Sequence, residues 1–123
     1  MKDMDTLERK GETDAIAAIL DSCDRIAGYT SGMTREGFLM DMCVRDACAF
    51  NCQVIGDRMG RLSDGIWDGD VDRDSVVGFG RMLDETYGTK LFDDASLWDF
   101  ITDTVPIIRD GCRRILEGTG RKG

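Results

Sequence analysis

Apolar residues recur at helical spacing from residue 13 to residue 117, and no convincing segment alternates with a period of two. Thr13 is placed to cap a first helix, whose stripe Ile16, Ile19, Leu20, Cys23, Ile26 and Ala27 follows the i, i+3, i+4, i+7 rule. Gly28 and the Ser31-Gly32 pair are expected to end it. Thr34 caps a short helix carrying Phe38 and Leu39. A long helix is predicted from about Asp41 to Leu62, with Val44, Ala47, Cys48, Asn51, Val54, Ile55, Met59 and Leu62 on one face. Residues 63–72 form an acidic, glycine-rich connection. A fourth helix spans about Asp72 to Tyr87, with Val76, Val77, Phe79, Leu83 and Tyr87 inward, and the turn Gly88-Thr89-Lys90 ends it. Asp93 or Asp94 opens a last helix carrying Leu97, Ile101, Val105, Ile108, Cys112, Ile115 and Leu116. Pro106 lies inside that helix and removes an i→i−4 hydrogen bond, which predicts a kink.

Short links between one-sided stripes predict an all-α, antiparallel up-and-down bundle of four to five helices. The domain is placed at 13–117, with an N-terminal extension at 1–12 and a disordered tail at 118–123. Gly56, Gly60, Gly78 and Gly80 fall inside helices, where each is unfavourable by about 1 kcal/mol relative to alanine. Either close helix–helix approach or ligand access to backbone accounts for them. Asn51 is the polar member of its stripe and requires partners, as a packing residue or as part of a polar cleft with Asp57. Trp98 is expected in the core. Trp67, in the polar connection, is either an interface anchor or packed back on the bundle.

The 123 residues suffice for one core, and 41% hydrophobic with 33% charged residues is a soluble composition rather than a disordered one. No stretch approaches the roughly 18 apolar residues of a membrane span, and the charged start Met1-Lys2-Asp3 has no apolar signal region, so the cytoplasm is the expected compartment. The five cysteines, Cys23, Cys43, Cys48, Cys52 and Cys112, are expected to be reduced and buried. Cys48 and Cys52 share a face, but the paired spacing of a zinc site is missing and the chain has no histidine. No metal or cofactor is implied. The alternating carboxylates of 68–74 resemble a Ca²⁺ loop, yet the positions that require Gly and Glu hold Arg73 and Phe79. Their expected role is solvation and support of the next helix start.

The formal net charge of −8 disfavours a broad grip on RNA. The basic group Arg109, Arg113, Arg114, Arg121 and Lys122 is read as placement at a helix C-terminus.

Three blocks carry a family resemblance. Asp46-Ala47-Cys48-Ala49-Phe50-Asn51-Cys52-Gln53-Val54-Ile55-Gly56-Asp57, followed by Arg61-Leu62-Ser63, is similar to the "DAVxRNLEIIGEA…xRLS" helix of the HepT-like proteins. Val77 to Tyr87 resembles their Arg-x4-His-x-Tyr helix. Leu97-Trp98-Asp99-Phe100-Ile101-Thr102-Asp103-Thr104-Val105-Pro106 is similar to their "xVWxxVxxDLP" segment. The resemblance implies a dimeric bundle of the HEPN class, the toxin half of a bacterial toxin–antitoxin pair. The implied activity is a metal-independent ribonuclease, and the implied partner is a minimal nucleotidyltransferase that silences it by attaching AMP to the motif tyrosine.

Carried over residue by residue, Tyr87 is the candidate AMP acceptor. Gly80 stands at the family's Arg, Glu85 at its His, and Phe50 at an Arg beside Asn51. Metal-free RNA cleavage requires a base, an acid and positive charge at the phosphate. Glu85 offers a base, and Arg81, one turn earlier, offers a cation. Alternatively, the two form an ordinary surface pair. A one-residue shift places Arg81 on the family's Arg and Thr86 on its His. Three functions follow: an AMP-accepting partner of a nucleotidyltransferase with a degenerate nuclease motif, an active ribonuclease using Glu85, Arg81 and Tyr87, or a helical interaction domain without nucleotide chemistry.

Overall fold

The computed structural model describes the backbone of residues 2–122 and the side chains of residues 10–118. Helix α1 covers Lys2–Thr30, α2 Arg35–Met40, α3 Met42–Gly60 and α4 Arg73–Thr86. Helix α5, Asp94–Asp99, runs through a π-helical stretch, Phe100–Thr104, into α6, Val105–Lys122. The described residues form an all-helical bundle, as the apolar stripes predict.

Cross-helix pairings establish antiparallel order. Glu12 of α1 accepts hydrogen bonds from Ser63 just past α3, Gln53 of α3 donates to Asp84 of α4, and Asp24 of α1 pairs with Arg109 of α6. The core they enclose holds Ile16, Ile19, Cys23 and Ile26 of α1, Cys48, Cys52, Ile55 and Met59 of α3, Val76 and Leu83 of α4, and Leu97, Ile101, Val105, Ile108 and Cys112 of the last helical run. Burying each large aliphatic side chain stabilises the bundle by about 1.5–3 kcal/mol before entropy is counted. Phe38 of α2 packs fully buried against Trp98, ring centroids 5.1 Å apart.

Local chemistry fixes the helix ends. Thr34, Asp41, Asp72 and Asp93 are N-caps whose side chains accept backbone N–H groups of the first turn. Gly32 and Gly88 take the left-handed conformation, φ +75° and +83°, just beyond α1 and α4. Pro106 has no N–H for the carbonyl four residues earlier, and the preceding turn widens: Val105 N–H bonds to Phe100 C=O, five residues back. The interruption is thus a π-helical turn inside a continuous helical run.

Four expectations are corrected. Thr13 is not a cap, because α1 is continuous from Lys2 and residues 2–12 are its first turns rather than a separate extension. Gly28 lies inside α1 and does not end it. The tail placed at 118–123 continues as helix to Lys122. Cys43 is exposed, while the other four thiols are buried.

Trp67 is packed back on the bundle. Its ring covers Gly111 of α6, where an added Cβ would meet Cη2 at 2.7 Å, and its indole N–H donates to Val71 C=O. Among the described residues no helix is long and apolar enough to cross a membrane, and no group of three or more Cys, Asp or Glu residues is placed to hold a metal ion. Within 68–74, Asp70 faces Arg114 at 3.6 Å and Asp72 caps α4.

Candidate functional site

The segment matching the motif helix is α4, and its register is set by Gly80. That glycine is buried on α3, and a Cβ built on it would lie 3.1 Å from Gly56 Cα. Backbone meets backbone at this crossing, which answers the question posed by two of the four helical glycines. Gly78, by contrast, faces open space. The position where the motif has arginine is therefore a close helix contact, where a side chain would crowd Gly56. Arg81, one residue on, is exposed.

Beside the crossing lies an open groove of about 260 Å³ lined by Gln53, Asp57, Gly60, Arg61, Arg81 and Asp84, with both contact glycines at its floor. Gln53 Nε2 donates to Asp84 Oδ1 at 2.9 Å and ties the two helices at one edge. Asp57 is engaged by Arg58 at 2.9 Å and by Arg61 at 3.2 Å. Among the described residues Arg81 has no ion-pair partner, so its guanidinium is the groove's uncommitted cation.

The structure brings Asp57 and Arg81 together, but not the other candidates. Asn51 is buried and turned onto its own helix, where Nδ2 donates to Ala47 C=O at 2.8 Å. It is a packing residue away from the groove. Glu85 is exposed, does not line the groove, and makes neither the surface pair with Arg81 nor any other ion pair among the described residues. Thr86 bonds its hydroxyl to Met82 C=O on its own helix.

Tyr87 sits at the far end of the same helix pair. It is the first non-helical residue after α4, its N–H held by Leu83 C=O and its ring edge-on to Phe92, with centroids 5.6 Å apart. Its hydroxyl donates to Asp46 Oδ1 of α3 at 2.6 Å. Arg45 lies alongside, 3.6 Å from Asp94 of α5 and bonded through Nη1 to Leu39 C=O. Burial raises the Tyr87 phenol above its ordinary value; the Asp46 carboxylate and then Asp94 raise it further, and Arg45 acts in the opposite sense.

Asp46, Phe50, Gln53 and Asp57 follow one another at helical spacing on α3 and form a single face bordered by α4. Phe50 stands in the middle of it, 61% exposed. Asp46, Gln53 and Asp84 were not singled out from the sequence. Asp46 opens the first resembling block, but its partner is 41 residues away and no local pattern announces the pairing.

The family model described as "Ribonuclease HepT-like" matches residues 19–115. The chain belongs to the HepT-like family. No curated protein and no solved structure matched it.

Proposed function

We infer that this chain is the HepT-like half of a bacterial toxin–antitoxin module, the partner and AMP-accepting substrate of a minimal nucleotidyltransferase, with an incomplete nuclease centre. The observation that carries the reading is the contrast among the motif positions along the second half of α4. The arginine position is Gly80, packed against Gly56, and the histidine position is Glu85, exposed and without an ion-pair partner among the described residues. Two residues beyond Glu85 the motif tyrosine is kept, and its hydroxyl is hydrogen-bonded to Asp46.

A carboxylate in place of the imidazole repels the phosphate it would have to approach, and Gly80 at the arginine position supplies no charge to offset it. The net charge of −8 acts in the same direction against an RNA backbone. A second copy of the chain is the expected cover for the α3–α4 face, because Phe50 presents a large apolar surface there between polar neighbours.

One observation favours the second reading, an active ribonuclease. Arg81 lines the groove without an ion-pair partner among the described residues and is free to meet a phosphate. Co-expression with a minimal nucleotidyltransferase, followed by affinity purification and an RNA cleavage assay, separates the two. Co-purification without cleavage supports the proposed function. Cleavage by the wild-type chain that is lost in Glu85→Gln or Arg81→Ala overturns the incomplete-centre reading in favour of an active enzyme.

A further inference from the structure

A phenol is a weak nucleophile while it holds its proton, and the surroundings of Tyr87 make a free phenolate scarce. Burial and the neighbouring carboxylates both disfavour the charged form. For its oxygen to attack phosphorus, the proton must leave as the new bond forms, and an acceptor must already be in place. The charged groups facing the hydroxyl are Asp46 and Arg45 from α3 and Asp94 from α5. Asp94 is turned to Arg45 at 3.6 Å. Asp46 alone among the described residues is hydrogen-bonded to the hydroxyl, at 2.6 Å.

We propose that Asp46 prepares Tyr87 for modification, fixing the hydroxyl and accepting its proton as the oxygen attacks a nucleoside triphosphate. The inference rests on the reading of Tyr87 as the AMP acceptor. In this step Tyr87 Oη forms a bond to the α-phosphorus of ATP. The bond from that phosphorus to the bridging oxygen of the β-phosphate breaks, and pyrophosphate leaves with the electron pair. The phenolic proton passes to Asp46 Oδ1.

The arrangement also makes the product differ from the substrate. Once esterified, Tyr87 has no proton to donate, and a phosphodiester charge stands beside the Asp46 carboxylate. The Tyr87–Asp46 hydrogen bond is then lost, while Gln53 and Asp84 still join α3 to α4.

The test is AMP transfer to the full chain by the co-purified nucleotidyltransferase with Mg-ATP, followed with labelled ATP across the neutral and alkaline range. Wild type, Asp46→Asn, Asp46→Glu and Tyr87→Phe are compared. Asp46→Asn keeps the size and a hydrogen-bond acceptor but cannot take the proton. It is expected to be about 100-fold slower than wild type near neutral pH, with a rate that climbs with pH as solvent removes the proton. Asp46→Glu recovers part of the rate. An Asp46→Asn rate equal to wild type, or reduced equally at every pH, overturns the role of Asp46 while leaving Tyr87 as the acceptor. No label in wild type, or equal label in Tyr87→Phe, overturns the acceptor reading itself, and the role of Asp46 falls with it.

Discussion

Gly56 and Gly80 meet backbone to backbone where α3 crosses α4, and a Cβ added to either would lie 3.1 Å from the other's Cα. The neighbours are main-chain atoms of two packed helices and cannot swing aside. Gly80→Ala gains about 1 kcal/mol of helix propensity, but overpacking of this kind costs about 1–3 kcal/mol, so the net effect is a loss. Gly78→Ala, two residues earlier and facing open space, keeps the propensity gain alone. Thermal melts are expected to show Tm lowered in the first variant and raised in the second. Gly80→Arg, which restores the family residue, is expected to melt lower still and to gain no RNA cleavage.

Arg81 and Glu85 are exposed and not paired with each other. Arg81→Ala and Glu85→Gln are therefore expected to change stability by less than about 0.5 kcal/mol in chemical denaturation. On the account of an incomplete centre, neither substitution alters growth of a host expressing the chain. A larger stability loss in either variant would show a contact that this geometry lacks.

Asp72 terminates the acidic connection by capping α4, its carboxylate accepting from Ser75 N–H at 3.1 Å and from Ser75 Oγ at 3.0 Å. Asp72→Ala is expected to destabilise the protein by about 0.5–2 kcal/mol. Calcium is expected to leave the wild-type Tm unchanged, because Asp70 and Asp72 are directed to Arg114 and to the helix start. A calcium-dependent rise in Tm that Asp72→Ala removes would restore the metal-loop reading.

Legibility in the sequence followed the range of the interaction. The stripes of α1, α3, α4 and the last helical run predict the buried residues because one face must be apolar at a helical period. The caps Thr34, Asp41 and Asp72 and the break at Pro106 are equally local. The start of α1 was not legible: residues 2–12 carry no apolar stripe, and Glu12 is tied to Ser63, 51 residues away. The groove was half legible. The sequence marks Asp57 and Arg81, but Asn51 satisfies its amide on its own helix. Gly80 was noticed as a departure from a motif, yet its contact with Gly56 depends on how two helices cross. The same is true of the Tyr87–Asp46 bond.

The buried thiols give the protein an alkaline limit. Burial raises Cys48 from its ordinary 9.0 to about 11, and Cys112, helped by Asp24, to about 12. Cys23, Cys52 and Tyr87 shift in the same direction. In the unfolded chain these groups ionise at their ordinary values, whereas in the fold they remain neutral. Their contribution is complete below pH 9 and is lost as pH rises through the folded values. Tm is expected to fall progressively above about pH 9. A thiol reagent at mildly alkaline pH is expected to label one cysteine rapidly, and Cys43→Ser is expected to abolish that fast phase, since Cys43 is the exposed thiol.

The central claim is that Tyr87 has kept its role while the nuclease positions have not. Its most direct test is the intact mass of the chain after co-expression with a minimal nucleotidyltransferase, with Tyr87→Phe alongside. The account predicts a gain of one or more AMP units in wild type and none in Tyr87→Phe. A wild-type chain of unmodified mass, or a gain that persists in Tyr87→Phe, would contradict it.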